Sequence, residues 1–434
     1  MPRSPTKPKK IPKPTVETNN FDQKTQDNLL KNLEEIHLPA FKIDTDEGVM
    51  AAKEFFDEWG LVIVYPHKDE EERKWFKDKM ITESWNTVME NQAMTPRYAS
   101  RITKITDAES LKAFSGDLPQ SLKKEQDDTF GELPFPHSAF GGPCMNAIWV
   151  MSCTWWMRQH ERLALLAGKI LNTDDPKCAL DRCSIKLPGK GDSEWIHKDQ
   201  NKDLKKPTNS EIQGKYCTTK GSFVCVPGSH KQHEEMYSTY APHYKKTKSA
   251  KWAILPDKPD PLNLFGRVKK VIVPEGAVVF WSSSLVHGVC KNRGKSILFG
   301  LYIGYLKDCE RPGYYEKTQG THEIDDRFRV WSRGVKPMLH PSLDEVHLYP
   351  KRWMNFHKIL GGYISSRMNP YSTQYDYSLR KLQRDGPETW VPHLVENDPE
   401  NYTPEPLSRR GKELLVGKAR VHQFFPTEDA DAME

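Results

Sequence analysis

Short apolar runs recur along the middle of the chain, and their length is that of β-strands. Each run holds alternating or continuous apolar residues, and glycine or proline turns separate the runs. The predicted strands are Gly60 to Tyr65, Cys183 to Leu187, Ser222 to Val226, Val271 to Val273, Ala277 to Trp281 and Ile297 to Leu306. Regularly spaced short strands of this kind favour a mainly β core.

A different pattern, with apolar residues at roughly helical spacing, appears in three earlier segments. They are Asp46 to Trp59, Glu70 to Asn91 and Met157 to Leu171. Because each segment has one apolar face, we expect these helices to pack outside the larger sheet. The predicted fold class is therefore mainly β with flanking helices.

Composition divides the chain of 434 residues into three parts. Residues 1–40 form a basic tail rich in proline and lysine, which we expect to be disordered. Residues 41–308 contain the predicted strands and helices. Residues 309–434 form a carboxy-terminal extension that is rich in aromatic residues and proline, and we expect it to be partly helical.

Charge and cysteine content limit the expected binding partners of the protein and its expected cellular compartment. The net charge of +5 is small beside 64 basic and 59 acidic residues and requires no polyanionic partner. The basic tail is most simply a solvated segment, and a nuclear-localisation signal or an arm that contacts nucleic acid is the alternative. No apolar run approaches the ~20 residues that cross a bilayer, and we expect no signal peptide. Eight scattered cysteines without C-x-x-C pairs are typical of reduced thiols, which predicts an intracellular protein, cytoplasmic or nuclear.

One triplet and one distant histidine form the pattern of a mononuclear iron site. His197 and Asp199 are separated by one residue, so in an extended strand their side chains point to the same side. His287 follows the apolar run Val271 to Trp281 and can supply a third ligand from another strand. Two imidazoles and one carboxylate occupy one face of an octahedral Fe(II) and leave three positions open. The H-x-D triplet alone is a weak motif in a chain with fifteen histidines, so its context decides its meaning.

Three stretches, in this order, resemble the phytanoyl-CoA dioxygenase family of Fe(II)- and 2-oxoglutarate-dependent oxygenases. They are Trp195 to Gln200 around the H-x-D triplet, Val226 to Lys231, and Gly276 to Trp281 leading to His287 and Gly288. The resemblance covers roughly residues 48 to 306. It implies a double-stranded β-helix, which is a cupin-like jelly roll of two facing antiparallel sheets with the metal at one open end.

The resemblance also implies a chemistry. His197, Asp199 and His287 would hold Fe(II), 2-oxoglutarate and dioxygen would be the cosubstrates, and the product would be a hydroxylated C–H bond. Related halogenases lack the carboxylate that is Asp199 in this chain, so hydroxylation is favoured over halogenation. No catalytic residue beyond the metal ligands is implied. A small molecule or acyl group is the expected substrate, and the family name does not identify it, because members with unrelated substrates share the fold and the metal chemistry.

The distal carboxylate of 2-oxoglutarate needs a buried cation, and three residues are candidates. In the phytanoyl-type family an arginine lies on the strand that runs through Ile297 and Leu298 here, and neither of these is a cation. The nearest cations are Arg293 and Lys295. In jumonji-type oxygenases a lysine on a strand after the H-x-D triplet binds this carboxylate, and Lys215 lies at a comparable distance.

A catalytically inactive protein is the alternative function. In that case the jelly roll would be a binding or structural module, and the basic tail would contact nucleic acid or protein. The absence of an arginine at the expected position favours this alternative, whereas the intact ligand triplet favours an active oxygenase.

Overall fold

The computed structural model describes residues 33–93, 152–179, 183–186, 195–201, 211–246, 252–254, 260–289, 298–307, 327–328, 331–332 and 404–426. Its helices are α1 (Asp46–Trp59), α2 (Glu70–Ala93), α3 (Ser152–Arg158), α4 (Glu161–Leu171), α5 (His233–Lys246), α6 (Arg409–Val416) and α7 (Val421–Phe424). Its strands are β1 (Glu35–Ile36), β2 (Ala40–Lys42), β3 (Leu61–Tyr65), β4 (Lys177–Cys178), β5 (Cys183–Lys186), β6 (Trp195–Asn201), β7 (Glu211–Cys217), β8 (Gly221–Cys225), β9 (Trp252–Ile254), β10 (Lys269–Val273), β11 (Val278–Ser282), β12 (His287–Val289) and β13 (Leu298–Leu306).

The strands form two sheets whose order is that of a jelly roll. The minor sheet has the order β1-β10-β8-β12-β6-β9, and the major sheet has the order β2-β3-β11-β7-β13-β4 with β5 also paired to β13. Two antiparallel rows of four strands, β5-β13-β7-β11 and β6-β12-β8-β10, lie within these sheets. The chain passes between the two rows in the way that defines the double-stranded β-helix, so the predicted fold class is confirmed.

A hydrophobic cluster between the two sheets joins them. It combines Val279 and Trp281 of the major sheet with Phe223, Cys225 and Val271 of the minor sheet. Because side chains alternate along a strand, residues two apart on these strands share this inner face. The inner face is therefore known for every strand that contributes to the cluster, and this assignment positions the candidate site below.

The helices cover the outer faces of both sheets. Helices α1, α3 and α4 pack on the outer face of the major sheet, where Val62, Phe280 and Ile303 meet them. Helix α5 covers the minor sheet through Met236 and Tyr240. The prediction that helices flank the larger sheet is confirmed. No helix among the described residues combines the length and the apolar composition that crossing a bilayer requires.

Helix α1 begins and ends where its sequence signals predict. The side chain of Thr45 accepts a hydrogen bond of 3.1 Å from the backbone N–H of Gly48, which caps the first turn. Gly60 ends the helix with a φ of 74° and donates its N–H to the carbonyl of Phe56. A Cβ at position 60 would lie 2.4 Å from Nδ1 of His230, so glycine is required here for space as well as for conformation.

Two helix predictions need correction. The segment predicted as one helix from Met157 to Leu171 is two helices, because α3 ends at Arg158 and α4 begins at Glu161. His160 lies at the N-cap position of α4 in an extended conformation, without a capping hydrogen bond from its side chain, so apolar spacing continues across a real break. Helix α5 was not predicted, since only Met236 and Tyr240 of its residues belong to the cluster that it covers.

Part of the predicted amino-terminal tail pairs with the minor sheet. Residues 33–40 were assigned to the disordered tail, yet β1 pairs with β10 and Ile36 packs on the inner cluster. Lys270 forms an ion pair with Glu35 at 2.6 Å, which ties this segment to the sheet. Glu35 and Ile36 therefore belong to the minor sheet, while the division of the chain at residues 40 and 308 stays a prediction.

In the carboxy-terminal extension, α6 packs into the outer core. Its residues Leu414, Leu415 and Val416 are buried in the cluster that lies on the major sheet. The fully buried Arg327 donates hydrogen bonds to the carbonyls of Leu415 at 2.7 Å and Cys178 at 2.6 Å. These contacts join the extension to the edge of the jelly roll.

Candidate metal centre

The strand register brings the three predicted metal ligands together. His197 and Asp199 lie two residues apart on β6. Ile196, the residue before His197, packs in the cluster under α5 on the outer face of the minor sheet. Because side chains alternate along a strand, His197 and Asp199 lie on the inner face. His287 is the first residue of β12, where it is the direct antiparallel partner of His197. Ninety residues of sequence separate two side chains that the ladder places side by side.

The carboxylate of Asp199 lies between the two imidazoles. Its Oδ1 is 3.3 Å from Nε2 of His197, and its Oδ2 is 3.2 Å from Nε2 of His287. All three ligand atoms lie within 4.8 Å of one another, and all three residues are buried. Two nitrogens and one carboxylate oxygen at this separation can bind one divalent ion and leave part of its coordination sphere open.

Burial and the mutual contacts set the charge state of these groups. Burial by itself would raise the pKa of Asp199, but the two imidazoles and their hydrogen bonds outweigh it and hold the pKa below its usual value. Burial, together with the neighbouring His287, lowers the pKa of His197 against the opposing effect of Asp199. Near neutral pH the carboxylate is ionised and His197 is neutral, which are the forms that bind a metal ion.

Backbone groups orient the ligands from behind. Nδ1 of His287 lies 3.0 Å from the carbonyl of Leu285, which directs Nε2 of this ring to the site. The backbone N–H of Asp199 donates to the carbonyl of Ser283 at 3.1 Å, at an irregularity where β6 shifts register against β9. Such contacts hold a ligand in one orientation before any ion arrives.

The Val226 to Lys231 signature anchors the site instead of entering it. Its Gly228 N–H donates to the carbonyl of Trp59 at 2.8 Å, and Nε2 of His230 lies 3.1 Å from the carbonyl of Asp57, so the turn is bound to the end of α1. On its other side, the buried hydroxyl of Ser229 accepts a 2.9 Å hydrogen bond from the N–H of Val286. The signature thus connects a helix end to the residue before His287.

Aromatic rings pack against the distal histidine. The ring of Phe223 stacks on His287 with centroids 5.7 Å apart, and the ring of Trp281 lies 5.5 Å from the same histidine. Phe223 and Trp281 are also in contact, at 4.8 Å. This apolar wall excludes water from one side of the site and thereby strengthens the electrostatic interactions within it.

Of the three predicted cations, the structure describes Lys215. It lies on the inner face of β7, buried, with Nζ 5.5 Å from the ring of Tyr302. Within the described ranges no carboxylate forms an ion pair with it. Lys215 pairs directly with Val279 of β11, and Val279 lies two residues from Trp281 on the same face. Lys295 and Arg293 lie outside the described residues, so both stay predictions.

Two polar features of this interior were not predicted from the sequence. Strand β7 was not predicted, although its polar residues Glu211, Gln213 and Lys215 alternate with Ile212 and Tyr216. Such alternation is the signal of a strand with distinct faces, and here both faces are buried. Gln213 and Trp281, which lie opposite each other on β7 and β11, consequently escaped notice.

Comparison with known proteins gives distant structural neighbours. No family model and no curated protein matches the chain. AviO1 from Streptomyces viridochromogenes Tue57 is 16% identical with a TM-score of 0.33, covering 61% of this chain and 97% of AviO1. The non-heme alpha-ketoglutarate-dependent carbocyclase SnoK from nogalamycin biosynthesis is 15% identical with a TM-score of 0.32, covering 62% of this chain and 89% of SnoK. EctD from S. alaskensis, solved with 2-oxoglutarate and 5-hydroxyectoine, is 14% identical with a TM-score of 0.32, covering 61% of this chain and 77% of EctD. The strand order described above, and not this remote likeness, establishes the jelly roll.

Proposed function

We propose that the protein is an Fe(II)- and 2-oxoglutarate-dependent dioxygenase that hydroxylates a C–H bond of a small-molecule or acyl substrate. The observation that carries the proposal is the buried triad His197, Asp199 and His287, whose ligand atoms converge within 4.8 Å on the inner face of a jelly roll. The donor set fits a divalent iron ion, because imidazole and carboxylate ligands on one face suit Fe(II) and leave adjacent positions for a chelating keto acid and dioxygen.

The protein's own groups have three tasks in this reaction. When bound, iron with 2-oxoglutarate and dioxygen supplies the oxidising power that inserts one oxygen atom into the substrate, while the keto acid becomes succinate and carbon dioxide. His197, Asp199 and His287 hold the ion, and their backbone contacts keep the three ligands oriented. Phe223 and Trp281 exclude water beside His287.

Lys215 is the residue that we propose for the distal carboxylate of 2-oxoglutarate. It is a buried cation on the inner face, it has no carboxylate partner among the described residues, and a dianionic cosubstrate would supply one. The charges then balance: a metal ion of +2 and Lys215 of +1 meet Asp199 of −1 and a cosubstrate of −2. A site that is neutral once the cosubstrate is bound favours a prime substrate without net charge at the reacting end.

The same proposal places the protein inside the cell. Fe(II) persists in reducing surroundings, and the described cysteines Cys153, Cys178, Cys217 and Cys225 are buried and form no disulfide with one another. The contact of the basic tail with nucleic acid stays a prediction, because residues 1–32 lie outside the described ranges.

Iron-dependent conversion of 2-oxoglutarate to succinate tests the function without knowledge of the prime substrate. We expect slow succinate formation by the wild-type protein with Fe(II) and dioxygen, and none by the variant His197→Ala. The variant His422→Ala changes an exposed histidine of α7 and should retain the wild-type rate. Succinate formation that survives in His197→Ala, or its complete absence from an iron-loaded wild-type protein, would contradict the proposal.

A further inference from the structure

Two buried hydrogen-bond donors inside the jelly roll have no acceptor among the described residues. They are Nε2 of Gln213 and Nε1 of Trp281. The two residues are direct partners across the β7–β11 ladder, so their side chains share the inner face, and they are 9% and 4% exposed. Buried donors are rarely left without a partner, and a neighbouring pair of them indicates a bound group that presents an acceptor oxygen.

The two donors lie between the metal ligands and Lys215. Trp281 contacts His287, which places its indole beside the metal centre. Lys215 is two residues from Gln213 on the same face of β7, and its partner Val279 is two residues from Trp281 on β11. Along the inner face, His287 is therefore followed by the two donors of Trp281 and Gln213, and these are followed by Lys215.

The spacing along β7 matches one class of ligand. Two residues of an antiparallel strand span about 6.8 Å. The carbon chain of a five-carbon dicarboxylate contains four carbon–carbon bonds of about 1.5 Å and spans about 5 Å when extended, to which the carboxylate oxygens add reach at both ends. A carboxylate at the level of Gln213 and a second one at Lys215 thus fit a five-carbon 2-oxo diacid.

We infer that Gln213 and Trp281 bind the metal-side carboxylate of the 2-oxo acid, through the oxygen that is not coordinated, and that with Lys215 they select a five-carbon diacid. The inference rests on the proposed function and extends it to residues that orient the cosubstrate. Donor N–H groups suit this oxygen because it carries negative charge and, in a closed site, has no water to accept from. Donors at one end and Lys215 at the other would hold a bound keto acid in one orientation.

An acceptor oxygen of the prime substrate could also occupy the two donors, and the two occupants predict different binding. If the prime substrate is the occupant, removal of either donor leaves the affinity for the 2-oxo acid unchanged. If the 2-oxo acid is the occupant, the affinity falls before any prime substrate is added.

Anaerobic titration of the Fe(II)-loaded protein with two keto acids separates these outcomes. The probes are 2-oxoglutarate and 2-oxovalerate, which has the same chain length but no distal carboxylate. The variants are Gln213→Leu, Trp281→Phe, which keeps an aromatic ring against His287 and removes the N–H, and Lys215→Met. We expect Gln213→Leu and Trp281→Phe each to weaken the binding of both keto acids about tenfold, because each removes one hydrogen bond to a charged oxygen. Lys215→Met should weaken 2-oxoglutarate alone.

The affinity for Fe(II) without keto acid serves as the control for folding and should stay within twofold of wild type in Gln213→Leu and Trp281→Phe. Wild-type affinity for both keto acids in these two variants would overturn the inference and leave the proposed function standing. Failure of the wild-type protein to bind 2-oxoglutarate would overturn the proposed function, and the inference with it.

Discussion

Replacement of Lys215 by methionine removes one charge from the centre of the jelly roll and leaves its volume nearly unchanged. The ammonium group is buried on the inner face of β7 and lies over the ring of Tyr302 at 5.5 Å. Methionine can keep the contact with this ring through its polarisable sulfur. The variant therefore tests the charge of Lys215 with little change in packing.

The expected loss of affinity for 2-oxoglutarate follows from the burial of the ion pair. A hydrogen bond to a charged group contributes about 1.5–3 kcal/mol, and removal of one partner of a buried pair costs more because the other charge is left without compensation. We take about 2–3 kcal/mol, which corresponds to a 30- to 150-fold weaker binding of 2-oxoglutarate. The fold should not suffer, because an unpaired buried cation destabilises the ligand-free protein. We expect the free energy of unfolding of Lys215→Met without ligand to equal or exceed that of wild type.

The assay is anaerobic calorimetric titration of the Fe(II)-loaded protein with 2-oxoglutarate, accompanied by chemical denaturation of the ligand-free protein. Lys220→Met is the matched control, since Lys220 is exposed in the turn after the same strand. Its affinity should equal that of wild type. Unchanged affinity in Lys215→Met would refute the assignment and would direct attention to Arg293 and Lys295.

Further expectations concern stability and the support of the metal ligands. Burial, helped by the nearby His160, lowers the pKa of His67 to about 4. Because the pKa of an unfolded histidine is about 6.5, the unfolded chain binds more protons than the folded protein between pH 4 and pH 6.5. The free energy of unfolding should therefore fall by about 1–2 kcal/mol between pH 7.5 and pH 5. Denaturation curves of His67→Gln should show a smaller fall. Leu415→Ala should cost about 2–5 kcal/mol in urea denaturation, because Leu415 is fully buried in the outer core; a cost below 1 kcal/mol would mean that the extension does not contribute to that core. Ser229→Ala leaves the N–H of Val286 without its acceptor, so it should lower the free energy of unfolding by about 1–3 kcal/mol and weaken Fe(II) binding measured by calorimetry, whereas Ser238→Ala in the exposed face of α5 should do neither.

Local patterns predicted much of this structure because local physics produced it. The interval of two residues between His197 and Asp199 placed both on one strand face. The apolar runs marked β3, β5, β8, β10, β11 and β13, whereas β6, β7 and β12, which carry the metal ligands and Lys215, were not among them. Helix α1 matched its prediction at both ends, since Thr45 and Gly60 are strong capping residues.

Features that depend on pairing between distant strands were not predictable in this way. The register that makes His287 the partner of His197 is a property of the assembled sheet, and the sequence supplied only a candidate. Gln213 and Trp281 have ordinary neighbours in sequence, and only the ladder between β7 and β11 shows that their donors meet. Helix α5 combines Pro242 with a narrow apolar stripe, so its helical conformation depends on the sheet that it covers.

The most direct test of the metal centre is an anaerobic titration of the metal-free protein with Fe(II) and 2-oxoglutarate, followed by visible absorption. A keto acid chelated to Fe(II) gives a weak metal-to-ligand charge-transfer band. We expect this band to saturate at one iron per chain in the wild-type protein and in His422→Ala, and to be absent from His287→Ala. A band of undiminished intensity in His287→Ala, or no iron binding by the wild-type protein, would contradict the claim that His197, Asp199 and His287 form an iron site.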